Sequence, residues 1–321
     1  MTPIQMHPRV AAYRHHFQTP VQTRSGKPPP TPSLIFLGAN SLIFRDGDST
    51  LLVDPYFTRV PGVLSPMLLF RKQSPSLTAI TRTLAAHRLG RADAVAVTHS
   101  HFDHAMDAPD VARLLRAPLY GSASTANVAR GRDLPEHMIR PVPPGGMFDA
   151  GDFRVTFLPG RHLRFPPHLQ LLLGRGTEIA GPLRPPCRAT EYREGGCYTL
   201  LVEHSRGRAI VQGSAGFIPG ALDGVRADTA ILGIGGLDMK SEAYMREYYE
   251  QSVEAVGADC VYLTHWDNFA LPLDQPVRWL KHAHRSVDFF LEAAKGSGKR
   301  VRLLPLACPV PLPGLSGPAR S

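Results

Sequence analysis

The stretch ADAVAVTHSHFDHAMD, residues 92–107, constrains this chain more than any other. Its first half is a short, continuous apolar run, the mark of a strand buried in a sheet covered on both faces. Its second half gathers His99, His101, Asp103 and His104. His99 and His101 alternate, so an extended backbone turns both to one side. Three imidazoles and a carboxylate this close together are costly to bury without a cation or acidic partners. They supply nitrogen and oxygen donors that suit Zn2+, and also Fe or Mn. The end of a buried strand is also where α/β proteins place their sites. The competing explanation is a surface histidine cluster or a self-satisfied core network. A lone His would favour it; four donors at ligand spacing favour a metal centre.

Periodicity and turn residues supply the elements around this turn. SLIF (33–36) and STLLV (49–53) are rich in β-formers, with RDGD as the hairpin turn and Pro55 as the stop. LTAITRTLAAHRLG (77–90) and DAPDVARLLRA (107–117) read as helices, the second capped by Asp107 with Pro109 in its first turn. FRVTFLPG (153–160) is a strand that delivers His162, and CYTLLVEHSRGRAIVQGSAG (197–216) is a hairpin turned at SRGR. TAILGIGG (229–236) is a strand, SEAYMREYYEQSVEAVG (241–257) an amphipathic helix, and DCVYLTHWD (259–267) a strand ending in His265. PVRWLKHAHRSVDFFLEAAKG (276–296) reads as the last long helix and VRLLPLA (301–307) as the final strand. The pattern predicts an α/β protein: an αββα sandwich of two mixed β-sheets flanked by helices, in one domain over 33–321.

Residues 1–32 are polar, basic and proline-rich, ending in KPPPTP, and are expected to form a flexible arm. The connection 58–76 and the insert 163–196 are long for plain loops. Their apolar residues (VLSPMLLF, Phe165, LQLLLG) either pack the loops onto the body or wall a site for an acyl or lipid-like group. Arg161, Arg164 and Arg175 in the insert region suit a phosphate or carboxylate.

The formal net charge is +9, but it is spread as single arginines without a Lys/Arg block. A nucleic-acid partner is therefore not expected. No apolar run is long enough to span a membrane, and the first residues lack the apolar core of a signal peptide, so a cytoplasmic location is expected. Cys187, Cys197, Cys260 and Cys308 form no C-x-x-C pair and read as reduced thiols. Tyr244, Tyr248 and Tyr249 could serve a homo-oligomer, although aromatics at helical spacing are more often core.

The H-x-H-x-D-H pattern of VTHSHFDHAMD resembles the signature of the metallo-β-lactamase superfamily. DPYF (54–57), PGRH (159–162) and THWDNF (264–269) resemble the segments carrying that family's early Asp, third His and last His, in order, from about residue 33 to 307. GANS and HWDNF are most similar to the branch containing the ascorbate-6-phosphate lactonase and the phospholipase D acting on N-acylethanolamine phospholipids. The resemblance implies a metal-dependent hydrolase with one or two Zn2+. His99, His101 and His162 would hold one ion, and Asp103, His104 and His265 a second. Asp103 would also act catalytically, orienting a metal-activated water, and Asp54 would orient the site from behind. The implied substrate is an ester, lactone or phosphodiester, with a lipophilic anion fitting both the apolar loops and the arginines. The acid that protonates the leaving group is left open between His168, Arg161 and a second metal-bound water.

One departure stands out. Where the family's strand-ending Gly-Asp supplies a bridging carboxylate, QGSAGF (212–217) presents Ser214. Two ions then carry one more uncompensated positive charge. Either the second ion binds weakly, Asp238 or Asp267 substitutes, or an anionic substrate supplies the charge. Three other functions compete: a nuclease of the same superfamily, a non-catalytic metal-binding relative, and iron-dependent oxidoreductase or persulfide chemistry.

Overall fold

Two seven-stranded sheets form the frame of the computed structural model, which describes residues 5–21, 32–62, 71–165, 178–272 and 275–312. In spatial order the first contains Pro309–Pro311, Ser33–Phe36, Leu42–Asp46, Ser49–Val53, Ala94–Ala96, Leu119–Gly121 and Ile139–Pro141. The second contains Arg300–Leu303, Cys260–Thr264, Thr229–Gly233, Gly207–Gln212, Cys197–His204, Phe153–Gly160 and Met147–Ala150. Both are mixed: strands 49–53, 94–96, 119–121 and 139–141 run parallel in one, as do 207–212, 229–233, 260–264 and 300–303 in the other. The parallel strands 49–53, 229–233 and 260–264 are buried along their whole length, as strands covered on both faces must be.

The sheets face each other. Phe44 meets Phe153 edge-on at 6.1 Å, and Ser49 Oγ donates to Asp152 at 2.7 Å across the interface. Helices Ala108–Leu115 and Ala123–Gly131 cover the first sheet, and Glu242–Tyr249 and Ala283–Ala293 pack on one another beside the second through Tyr248, Tyr249 and Phe290. Serine hydroxyls start three helices, with Ser76, Ser122 and Ser241 accepting from the N–H of Ala79, Thr125 and Tyr244. The αββα sandwich is thus the observed architecture. Tyr248 and Tyr249 belong to its core.

Local expectations change in four places. Residues 5–21 do not form a loose arm: helix Pro8–Ala11 buries Val10 completely, Arg9 O accepts from Trp279 Nε1 at 3.1 Å, and Phe17 packs edge-on against Trp266. Two well-placed apolar residues and one hydrogen bond outweigh a polar composition there. The last long helix begins at Ala283, because Val277 and Trp279 are taken up in bridges to Met6 and Asp267. The helix predicted over 241–257 is α-helical to Tyr249 and turns π-helical over Glu250–Glu254. Helix Ala123–Gly131, built on small residues, carries no periodic apolar signal and was not anticipated. The segments VLSPMLLF and LQLLLG lie outside the described residues. Among the described residues no helix is long and apolar enough to cross a membrane. All four cysteines are unpaired.

Candidate metal centre

Strand direction explains why distant residues meet. Strands 49–53 and 94–96 are parallel, and 153–160, 207–212, 229–233 and 260–264 share one direction in the facing sheet. Their carboxyl ends deliver Asp54, His99, His162, Ser214 and His265 to one edge of the sandwich. All six donors anticipated from the sequence converge there, buried. The ligand atoms of His99, His101 and His162 lie within 4.8 Å of one another, and so do those of Asp103, His104 and His265. The two triads adjoin: the His99 and His104 rings are 4.0 Å apart.

Hydrogen bonds fix which ring nitrogens face inward. Asp54 Oδ2 accepts from Thr98 Oγ1 at 2.7 Å, because a carboxylate can only accept. The Thr98 oxygen is then the acceptor for His99 Nδ1–H at 3.2 Å, which leaves His99 Nε2 as a bare lone pair. His104 Nδ1 likewise donates to Asp54 Oδ2 at 2.9 Å, and His162 Nδ1 to Leu163 O at 2.9 Å. Asp54 therefore acts from behind the site, as expected, orienting two histidines at once. Asp54 and His265 both adopt left-handed backbones, with φ of 47° and 57°. Such strain persists in non-glycine residues only where the surroundings over-determine it.

The charge pattern matches the donor pattern. Burial, then the neighbouring imidazoles, push the pKa of His99 and His162 well below 6.5, so both are neutral as ligation requires. Burial works to protonate Asp103, but His104 and His265 outweigh it and hold the carboxyl well below the usual range. Burial also opposes charge on His104, yet Asp54 and Asp103 keep its pKa above 6.5. A bound cation would take the place of that proton. His99 Nε2 is buried without a hydrogen-bond partner, an arrangement that costs about 1–3 kcal/mol when left unmet. The donor set thus fits a metal centre.

Ser214 is buried at the pocket, and its Oγ accepts the Leu163 N–H at 3.0 Å. The hydroxyl that stands in the bridging position therefore holds the loop of His162. Asp267 does not substitute for the missing carboxylate: it is 2.8 Å from the Arg59 guanidinium and also accepts the Ala39 N–H. Asp238 does line the pocket. Arg161 lines a separate cavity with Glu178 and Glu194, and His168 and Arg175 lie outside the described residues.

The metal-ligand candidates form the floor of a cavity of about 160 Å³. Phe102, Phe165, Met239, Phe269 and Leu280 give it apolar walls, and Lys281 stands exposed among its lining residues. Of these only Phe165 was anticipated. Phe269 sits four residues beyond His265 with the rings 5.0 Å apart, a proximity that the segment THWDNF could have signalled.

Residues 49–266 match the family model of the beta-lactamase superfamily domain. A UPF0173 metal-dependent hydrolase of Roseobacter denitrificans is 26% identical over 223 residues, which is 67% of this chain and 80% of that protein. Among solved structures, Igni18, a metallo hydrolase of the archaeon Ignicoccus hospitalis, matches with a TM-score of 0.55 at 14% identity, over 87% of this chain and 97% of its own. CmlA, a diiron β-hydroxylase from Streptomyces venezuelae, matches with a TM-score of 0.55 at 16% identity, over 89% of this chain and 55% of its own. At these identities the two structures show a shared fold alone.

Proposed function

We propose that this chain, which belongs to the metallo-β-lactamase superfamily and is a metal-dependent hydrolase, uses Zn2+ held by its two triads to cleave an ester, lactone or phosphodiester with an apolar, anionic substituent. One observation carries the proposal: six buried donors, three of them (His99, His104 and His162) aimed by hydrogen bonds from behind, form the floor of a largely apolar pocket.

A divalent cation held there would supply a nucleophilic water near neutral pH and would stabilise negative charge developing on the attacked group. His99, His101 and His162 would hold one ion and Asp103, His104 and His265 the other. Asp103 is the one carboxylate among the six. Its Oδ2 lies 3.2 Å from His265 Nε2 and 3.8 Å from His104 Nε2. Kept ionised, it would accept a hydrogen bond from the attacking water and orient it. Phe102 and Phe269 exclude bulk solvent around these polar groups and strengthen every interaction among them.

The walls and the charge support this substrate class. Apolar side chains suit an acyl or other apolar substituent. Lys281 has no ion-pair partner among the described residues and reads as the anchor for an anion. With Ser214 in place of a second carboxylate, an anionic substrate also offsets the excess positive charge of two ions.

The test uses purified protein with added Zn2+ or Mn2+, 4-nitrophenyl esters and bis(4-nitrophenyl) phosphate. Metal-dependent turnover of at least one class, abolished in Asp103→Asn, is expected. Full metal loading with complete inertness toward both classes would overturn the proposal and favour a ligand-binding role.

A further inference from the structure

We infer that Asn40, backed by the buried Arg59–Asp267 pair, is a positioning residue that sets His104 and His265 relative to each other; this rests on the metal centre proposed above. The Gly38–Asn40 turn lies between the sheets and touches both arms of the second triad. On one arm, Asn40 Nδ2 donates to Asp54 Oδ2 at 2.8 Å, and the same oxygen accepts from His104 Nδ1 at 2.9 Å. On the other, Asn40 Oδ1 accepts from Thr264 Oγ1 at 2.8 Å, one residue before His265, and the His265 N–H donates to Ala39 O at 2.6 Å. The amide orientation is forced, because Asp54 can only accept and must face the NH2 group.

The turn is itself held in place. Ala39 has a left-handed backbone, with φ of 48°, and both its peptide groups are engaged: its N–H donates to Asp267 Oδ1 at 2.8 Å and its carbonyl accepts from His265. Arg59 pairs with Asp267 at 2.8 Å and also donates to Leu37 O, which precedes the turn. At Gly38, φ is +87° and a Cβ would collide with the Arg59 guanidinium, so glycine alone fits. Asn40 and Thr264 are fully buried, and Arg59 and Asp267 nearly so, which leaves no water to replace a lost contact.

The first triad depends less on this turn. Asp54 is held toward His99 by the Thr98 hydroxyl, which shares Oδ2 with Asn40, and by the Thr98 N–H on the other oxygen, Oδ1, both at 2.7 Å; the second contact keeps Asp54 in place without Asn40. His162 is oriented by Leu163 and Ser214 in the facing sheet. Loss of Asn40 therefore acts selectively on the triad of Asp103, His104 and His265.

Co2+ titration of the full chain, read by visible absorption and by metal content per chain, tests this without reference to turnover. Asn40→Ala is expected to weaken the second Co2+ by about 10–100-fold, the range for loss of an outer contact to a ligand, and to leave the first within about threefold of wild type. Thr264→Val, which removes one hydroxyl at constant shape, should give a smaller loss in the same site, and Thr264→Ser should restore it. A folded Asn40→Ala that binds both ions as wild type does, or weakens both equally, overturns the positioning role. Should Asn40→Ala fail to fold, the Thr264→Val and Thr264→Ser pair decides: identical second-ion affinity in the two overturns it. Wild-type protein that binds no Co2+ would refute the metal centre and this inference together, whereas an unaffected Asn40→Ala refutes the positioning role alone.

Discussion

Replacing Thr98 with valine isolates one hydroxyl behind the metal centre. Thr98 is fully buried, and its Oγ1 donates to Asp54 at 2.7 Å while accepting from His99 Nδ1 at 3.2 Å. Valine has nearly the same shape, so no cavity opens. What disappears is a hydrogen bond to a charged group, worth about 1.5–3 kcal/mol, and the acceptor of a buried N–H, whose desolvation adds about 1–3 kcal/mol. The backbone N–H of Thr98 still anchors Asp54 at 2.7 Å, and the two losses share a partner, so they do not add fully. A loss of about 3 kcal/mol is expected in urea unfolding of the chelator-treated protein. With metal present, His99 has lost its orienting partner, and a competition titration against a chromophoric chelator should show affinity lower by about 10–100-fold. Thr98→Ser keeps the hydroxyl and should stay near wild type on both readouts. A valine variant within about 0.5 kcal/mol of wild type with unchanged metal affinity, or a serine variant as impaired as valine, would refute the assigned roles of Thr98 and Asp54.

Three further perturbations probe other parts. Burial, reinforced by Arg45, lowers the pKa of His87 from 6.5 to about 4; the unfolded chain therefore takes up the proton first, and stability is lost as pH falls from 6.5 toward 4, by at most about 3 kcal/mol. His87→Gln should lessen that slope in unfolding midpoints recorded across this range, leaving the share contributed by His99 and His162, and an unchanged slope would contradict it. Ser214→Asp should tighten the second metal ion at least about tenfold in a stoichiometric titration by adding the missing carboxylate; two tightly held ions in wild type, unchanged in the variant, would show that the second site was never weak. Lys281→Met should raise KM about threefold to fivefold for 4-nitrophenyl hydrogen glutarate while leaving 4-nitrophenyl valerate unchanged, the size expected of a solvent-exposed charge; equal effects on both esters would remove Lys281 from anion recognition.

The six metal donors were legible because their signals are local: an alternating His-x-His turn after an apolar strand, and histidines placed at the ends of two other strands. The sandwich was legible for the same reason, since strands such as 33–36, 49–53 and 153–160 announce themselves by residue type and turn chemistry. The network behind the site was not. Asn40 reaches Thr264, Ala39 reaches Asp267, and Arg59 reaches Asp267, contacts between residues more than 200 positions apart that no spacing rule exposes. Asp267, two residues after His265, is one of the candidates the sequence offers for the missing carboxylate, yet in the fold its side chain turns to Arg59. Composition misled at the N-terminus, where Tyr13 and Phe17 find partners among Trp279, Asp288 and Trp266 and Val10 is buried in the core, despite a polar surrounding sequence. Periodicity misled over 276–282, where bridges to Met6 and Asp267 override a helical pattern.

The most direct measurement is anomalous diffraction from crystals of the metal-loaded protein, collected on both sides of the zinc edge. It should locate one ion ligated by His99, His101 and His162 and another by Asp103, His104 and His265. Anomalous density absent from this strand-end edge, or an ion coordinated elsewhere while these six side chains stay unligated, would contradict the proposed metal centre.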